Sequence, residues 1–377
     1  MPARQKKIRV GVIFGGRSGE HEVSIASAQS VMQALDKNKY EVIPIGITKL
    51  GQWVAGDRAA QFLKDGVQRL PFKTIFTPDP TEQKIVTVDD ALQPTVQNQL
   101  DVIFPMVHGP YGEDGTLQGL LELANIPYVG AGVLGSAAAM DKIIQKQLTA
   151  QAGIPSVDYL AVRDSEWTSK PNEILQMIED RFAYPIFTKP ANLGSSVGIA
   201  KCHNHQELKQ GIMEALRYDR KCVVEQGIEK AREIEVALLG NDAPQASVPG
   251  EIISSNEFYD YDAKYVDGKS REVIPADLPQ GIVKQIQEYA VSSFVALELS
   301  GMARADFLVD PVTLAVYLNE INTIPGFTAI SMYPKLWQGS GMPYPQLLDR
   351  LIELAIERHA LKNKLITAYQ PKNDWYK

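Results

Sequence analysis

Two short segments near the C-terminal end carry the side chains best suited to chemistry. Side chains alternate along a strand, so Arg304 and Asp306 share one face, while Ala303, Ala305, Phe307 and Val309 line the other. In the next apolar run, 314–322, Glu320 and Asn322 likewise share a face. A three-residue connection over 311–313 would set Arg304 opposite Glu320, with Asp306 diagonal to it. Two carboxylates, an amide oxygen and a guanidinium then project from one surface. Mg²⁺ suits such a set, since it takes a few oxygen ligands, keeps waters and shares substrate phosphates. The same residues would also serve as a solvated polar face with a surface ion pair. Gly326, in the turn that follows, adds backbone N–H groups that could reach an oxyanion.

A second candidate is Gly194-Ser195-Ser196-Val197-Gly198, which matches the G-x-S-x-G pattern of a hydrolase nucleophile. That reading needs a helix after the turn, whereas VGIAKC reads as a strand, so a flap folded over phosphates fits better. Lys142, Lys189 and Lys264 stand where anion chemistry could use them. Gly268-Lys269-Ser270 ends like a P-loop, but Ala263 occupies the place of its first glycine. Gly15-Gly16-Arg17-Ser18-Gly19 lacks dinucleotide-binding spacing. Cys202-His203-Asn204-His205 has no matching second pair for zinc and reads as a helix entry. His21 and His108 follow strand ends, where doubly wound sheets place ligands, while His359 falls on the last helix.

The elements that must position these residues follow from periodicity. Residues 8–14 form a β-rich run stopped by Gly15-Gly16, followed by helical spacing over 22–35. Strands are predicted at 40–47, 101–107 and 128–129, with helices at 116–124 and 136–152. This alternation implies a parallel, doubly wound sheet. Residues 50–98, with Pro71, Pro78, Pro80 and Pro94, fit it least and read as an irregular insertion. A smaller α+β unit runs to about 226, with a helix near 206–218 and a strand at 222–225. The last part holds a strand at 233–239, a polar stretch at 255–275 and a helix near 281–299. It closes with the two site strands and a helix near 345–360. The boundaries predicted are 1–140, 141–227 and 228–377.

Composition limits the partners. The 377 residues amount to about two and a half domains of typical size. Hydrophobic residues at 45% and charged residues at 22% are enough to build ordinary cores. Two cysteines, Cys202 and Cys222, suit a reducing cytosol. A net charge of −7 argues against nucleic acid or an anionic membrane as partner. The apolar run IRVGVIF is too short to span a bilayer, so a cytoplasmic protein is expected.

Seven segments in order carry a resemblance: GGRSGEHEVS at 15–24, HGPYGEDGTLQG at 108–119, MDK at 140–142, KPANLGSSVG at 189–198, YDYDAKY at 259–265, RADF at 304–307 and NEINTIPGFT at 319–328. Together they resemble the D-alanine–D-alanine ligases of the ATP-grasp superfamily over nearly the whole chain. The resemblance implies a doubly wound N-terminal domain followed by two α+β ATP-grasp subdomains. It implies ATP, two Mg²⁺ (or Mn²⁺) held by Asp306, Glu320 and Asn322, and phosphates met by Lys142, Lys189 and the Ser196 flap. Glu225, Gln226, Gly227 and Ile228 would receive adenine, and Glu233 the ribose. Relatives often carry Lys and Trp where this chain has Gln226 and Gly227. Glu20 would take the first D-alanine's ammonium, with His108 and Ser195 nearby, while Arg304 and the Gly326 N–H stabilise the oxyanion. Ser331 and the Met332 backbone would take the second substrate's carboxylate, and Lys264 and Tyr265 belong to a closing loop. The product implied is the D-Ala-D-Ala dipeptide of peptidoglycan synthesis, made by a homodimer. A sister ligase using D-lactate or D-serine is the alternative.

Overall fold

The structure is a computed structural model and describes residues 6–56, 59, 73–88, 94–253 and 271–369. The predicted segment YDYDAKY, with Lys264 and Tyr265, and Gly268-Lys269-Ser270 lie outside the described residues.

Strand β1 (Ile8–Gly15) leads through a glycine turn into helix α1 (His21–Ala34) and β2 (Tyr40–Ile47). Together with β3 (Trp53–Ala55), β4 (Lys73–Phe76), β5 (Lys84–Val88), β6 (Pro94–Gln99) and β7 (Val102–Met106), these elements make two sheets. The main one has the order β3-β2-β1-β7, with β1 parallel to both β2 and β7. Val10, Val12 and Phe14 face α1, whereas Ile13 faces the opposite layer with α2 (Thr116–Leu123), so both faces of the sheet are covered. The described parts of 50–98 are more regular than expected, while Pro71 lies outside the described residues. β3 pairs antiparallel with β2, and β4-β5-β6 form an antiparallel sheet of their own. Pro78 and Pro80 fall between β4 and β5, and Pro94 begins β6, so these prolines punctuate strands without interrupting them. The predicted strand at 128–129 is only a bridge between Tyr128 and Ile103.

The single helix expected over 136–152 is two, α3 (Val133–Met140) and α4 (Lys142–Gln151). Asp141 divides them because its carboxylate caps α4, accepting the N–H groups of Ile143 and Ile144. An antiparallel sheet follows, built from β8 (Tyr159–Arg163), β9 (Ile186–Pro190), β10 (Ala200–Cys202) and β11 (Lys221–Gln226) in the order β10-β9-β11-β8. α5 (Asp164–Ser169), α6 (Pro171–Arg181) and α7 (His205–Tyr218) cover it, and Asn204 caps α7 through Gln206 and Glu207.

The remaining sheet comprises β12 (Arg232–Gly240), β13 (Gln245–Ala246), β14 (Gly250–Ile253), β15 (Arg271–Val273), β16 (Gly301–Val309) and β17 (Val316–Asn322). α8 (Gln280–Ala296) packs on the face bearing Ala303, Ala305 and Phe307. On the opposite face, α9 (Met332–Gly339) and α10 (Tyr344–Lys362) share a core with Ala237, Leu239 and Met302. That core continues into Val10, Phe14 and Phe104 of the N-terminal sheet, so the chain's two ends are packed as one.

The register of β16 and β17 differs from the one expected. Arg304 lies opposite Asn322, and Asp306 opposite Glu320. The connection is longer than three residues, because Asp310 accepts the N–H groups of Val312 and Thr313 and the strands close only at Val309 and Val316. A bulge follows Asp306, since Phe307 pairs with Leu318 and leaves Asn319 as the extra residue.

Candidate active site

Cross-strand partners share a face, so the register places Glu235, Asp306 and Glu320 in a row across β12, β16 and β17. Like charges directly opposite one another repel, and cations hold this row together. Arg304 clasps both Asp306 oxygens at 2.7 and 2.6 Å and reaches Glu235 at 3.1 Å. Burial opposes the Arg304 charge, but Asp306 and then Glu235 outweigh it and keep the guanidinium firmly protonated. Asn322 Nδ2 donates to Asp306 at 3.0 Å. Lys142 Nζ stands 3.1 Å from Glu320 and donates to the Leu193 carbonyl at 2.8 Å. Two carboxylates and an amide on adjacent strands supply only oxygen donors to a metal, which fits a hard divalent cation.

Two pockets meet at this row. The first is bordered by Glu20, His108, Ser195, Arg304, Gly326, Ser331 and Met332, together with Glu320 and Asn322. Glu20 precedes α1 and is buried. Ser195 Oγ donates to its Oε1, whereas its Oε2 has no hydrogen-bond partner among the described residues. That orphan acceptor needs a cationic donor, as a substrate ammonium would be. A side chain at Gly109, where φ is 74°, would place its Cβ 2.6 Å from this oxygen, so the position requires glycine. Ser331 and Met332 form the N-terminal end of α9, suited to a carboxylate.

The second pocket is bordered by Lys189, Ser196, Gln226, Gly227, Ile228 and Glu233, with Glu225 and again Glu320. Ser195 and Ser196 take positive φ values of 49° and 59°, a conformation costing about 1–3 kcal/mol each in non-glycine residues. That twist turns consecutive side chains toward different pockets. β9 enters the flap and β10 leaves it antiparallel, which excludes the strand-to-helix elbow of a serine hydrolase. Asn204 caps its helix, as the helix-entry reading of Cys202–His205 expects.

Behind the second pocket lies a buried triad. Glu225 meets Lys146 at 2.8 Å and Lys189 at 2.6 Å, and Lys189 also donates to Asn319 at 3.0 Å. Burial would raise the Glu225 carboxyl, but Lys146 and Lys189 outweigh it and hold the group down at about 2. The bulge explains Asn319, since the extra residue is the one that reaches Lys189.

Several residues here were not singled out in the sequence. Lys146 lies one turn after Lys142 on α4, a spacing that puts both on one face. Glu235 is two residues beyond Glu233 on β12. Glu113 belongs to the HGPYGEDG segment; burial, then the charge of Glu20, pushes its carboxyl up to about 8. His108 is buried and held neutral by that burial, with both ring nitrogens engaged by protein groups.

A carboxylate row on one antiparallel sheet, facing a glycine-serine flap and buried lysines on a second, defines an ATP-grasp ligase architecture. Residues 9–131 match the family described as D-ala D-ala ligase N-terminus, and 148–353 match D-ala D-ala ligase C-terminus. The D-alanine–D-alanine ligase of Heliobacterium modesticaldum is 50% identical over 366 residues, 97% of this chain and 99% of that one. The solved D-alanine-D-alanine ligase from Coxiella burnetii is 41% identical with a TM-score of 0.80, covering 95% of this chain and 96% of that one. VanG D-Ala:D-Ser ligase from Enterococcus faecalis is 36% identical, also with a TM-score of 0.80, covering 93% of this chain and 100% of that one. The chain belongs to the D-alanine–D-alanine ligase family.

Proposed function

We propose that this chain joins two D-alanines through an acyl phosphate at the expense of ATP, yielding the dipeptide used in peptidoglycan synthesis. The observation that carries the reading is Glu320, which borders both pockets, so the side lined by Lys189 and Glu233 and the side lined by Glu20 and Arg304 meet at one side chain. Lys142 and Lys189 hold the phosphates, Ser196 covers them, 225–228 receives adenine and Glu233 the ribose. Glu20 Oε2 binds the first ammonium, aided by Ser195.

The γ-phosphoryl group passes to the first carboxylate, and ADP leaves. The second amine attacks the acyl carbon, the C–O bond to phosphate breaks, and inorganic phosphate and the dipeptide result. Arg304 and the Gly326 N–H face the oxyanion formed at that carbon, and Ser331 and Met332 hold the second carboxylate. Asp306, Glu320 and Asn322 would hold two Mg²⁺ (or Mn²⁺), which neutralise phosphate charge when bound.

The parts proposed are 1–140, 141–227 and 228–377, with the site between them. Leu123, Val133 and Leu134 are exposed on the adjacent helices α2 and α3, which supports a homodimer through this region. Among the described residues no helix is long and apolar enough to cross a membrane. The free thiols of Cys202 and Cys222 are consistent with a cytoplasmic location.

The test is ADP and phosphate release with D-alanine, L-alanine, D-lactate and D-serine offered as substrates. Release with D-alanine alone, matched by dipeptide, is expected. ATP turnover indifferent to D-alanine would end the reading, and better use of D-serine or D-lactate with D-alanine would favour the sister ligases. From its place in YDYDAKY, Tyr265→Phe is expected to shift the second substrate from D-alanine toward D-lactate. An unchanged preference ratio in competition assays would count against that role.

A further inference from the structure

The turn that carries Gly326 is gripped by the N-terminal part of the chain. Ile324 N–H donates to Glu113 Oε1 at 2.9 Å, and the Ile324 carbonyl accepts from His108 Nδ1 at 2.9 Å. On the other flank, Phe327 N–H donates to Ser27 Oγ at 3.1 Å, and that hydroxyl lies 3.3 Å from His108 Nε2. A carbonyl can only accept, so His108 carries its proton on Nδ1 and leaves Nε2 to accept from Ser27. The Ser27 oxygen is then free to accept from Phe327, and the directions of all four bonds agree. Glu113 is fixed in turn by Gly109 N–H, which donates to its Oε2 at 2.7 Å. The Phe327 ring is fully buried and meets Phe104 edge-on at 5.9 Å.

We propose that Glu113 and Ser27 are positioning residues which, with His108, clamp the 324–327 turn on both flanks and aim the Gly326 N–H at the oxyanion. This rests on the reading of Gly326 given above. A backbone donor stabilises an oxyanion only if held within about 0.5 Å of its working place, and losing one donor typically costs about 10²–10³ in rate. Loosening the clamp slows the amine's attack on the acyl phosphate, whereas formation of that intermediate depends mainly on the phosphate-holding lysines. The longer-lived acyl phosphate then leaves the site and is hydrolysed in bulk water, away from the Gly326 donor, water adding to the acyl carbon as the C–O bond to phosphate breaks and returning D-alanine and phosphate.

The test measures phosphate and dipeptide in the same reaction, at saturating ATP and D-alanine, for wild type, Glu113→Gln and Ser27→Ala. Glu113→Gln turns one acceptor into an amide donor facing a backbone N–H, and Ser27→Ala removes the oxygen between Phe327 and His108. Dipeptide formation is expected to fall roughly 10- to 100-fold, with the phosphate-to-dipeptide ratio rising severalfold and the KM for ATP unchanged. Hydroxylamine should divert the surplus into D-alanine hydroxamate. A general loss of folded enzyme would lower both products together at a constant ratio. A constant ratio in Ser27→Ala, or undiminished dipeptide in both variants, overturns the clamp. Wild type that makes no dipeptide from D-alanine overturns the functional reading instead.

Discussion

Replacing Glu225 with glutamine is expected to lower stability by about 3–5 kcal/mol, a fall in thermal midpoint on the order of 5 °C for a chain of this length, and to weaken ATP binding. The substitution keeps the shape of the side chain but removes the charge between Lys146 and Lys189, both of which are buried. Two ammonium groups would then share a dry space, with Asn319 as a neutral partner for one of them. The pH dependence separates this cause from loss of packing. Glu225 titrates at about 2 in the folded protein, below its ordinary value near 4.5. Its contribution to wild type is therefore complete above pH 4.5 and lost as pH falls through about 2. In the variant the lysines lose the carboxylate that opposes their burial, so stability should rise from pH 7 toward 9.5 more steeply than in wild type, where burial lowers Lys146 but Glu225 holds Lys189 up. Thermal melts across that range decide the matter. A wild-type-to-variant gap that stays constant to pH 9.5 would count against the buried charge cluster.

The same triad shows how far the sequence could be read. Strand alternation was enough to place Arg304 with Asp306, and Glu320 with Asn322, on common faces, because that alternation is a property of the backbone. Which residues lie opposite one another was not legible, because register depends on where the strands close and on bulges. Asp310 lengthened the turn by accepting two N–H groups, and Asn319 became the extra residue of the bulge. Most site residues recognised through motifs border the two pockets; Lys142 and Asp306 stand just behind, held against Glu320 and Arg304, and Lys264 and Tyr265 lie outside the described residues. Lys146, Glu113, Ser27 and Glu235 went unassigned because each acts on another protein group. Their partners are 79, 211, 300 and 69 residues away in the chain, distances over which neither periodicity nor local spacing carries information.

Asp306→Ala is expected to reduce D-alanine-dependent phosphate release by at least about 10³-fold, a barrier increase of about 4 kcal/mol. Three features of the row make Asp306 its centre. It lies between Glu235 and Glu320, takes both arms of Arg304 and accepts from Asn322. Removing it takes one oxygen donor from the proposed cation set and frees Arg304 to swing toward Glu235, away from the oxyanion. The fold should survive, because Arg304 keeps Glu235 as a buried partner and Ala305 and Phe307, on the opposite face, still pack against α8. A thermal midpoint within a few degrees of wild type, together with lost phosphate release, is therefore expected. The companion variant Asp306→Asn keeps the shape and one oxygen but not the charge. If the carboxylate serves a divalent cation, Asn should recover little activity, and raising Mg²⁺ or Mn²⁺ should recover part of it. If Asp306 only braces Arg304, Asn should restore most of the rate at ordinary metal concentrations, and that outcome would remove Asp306 from the metal set.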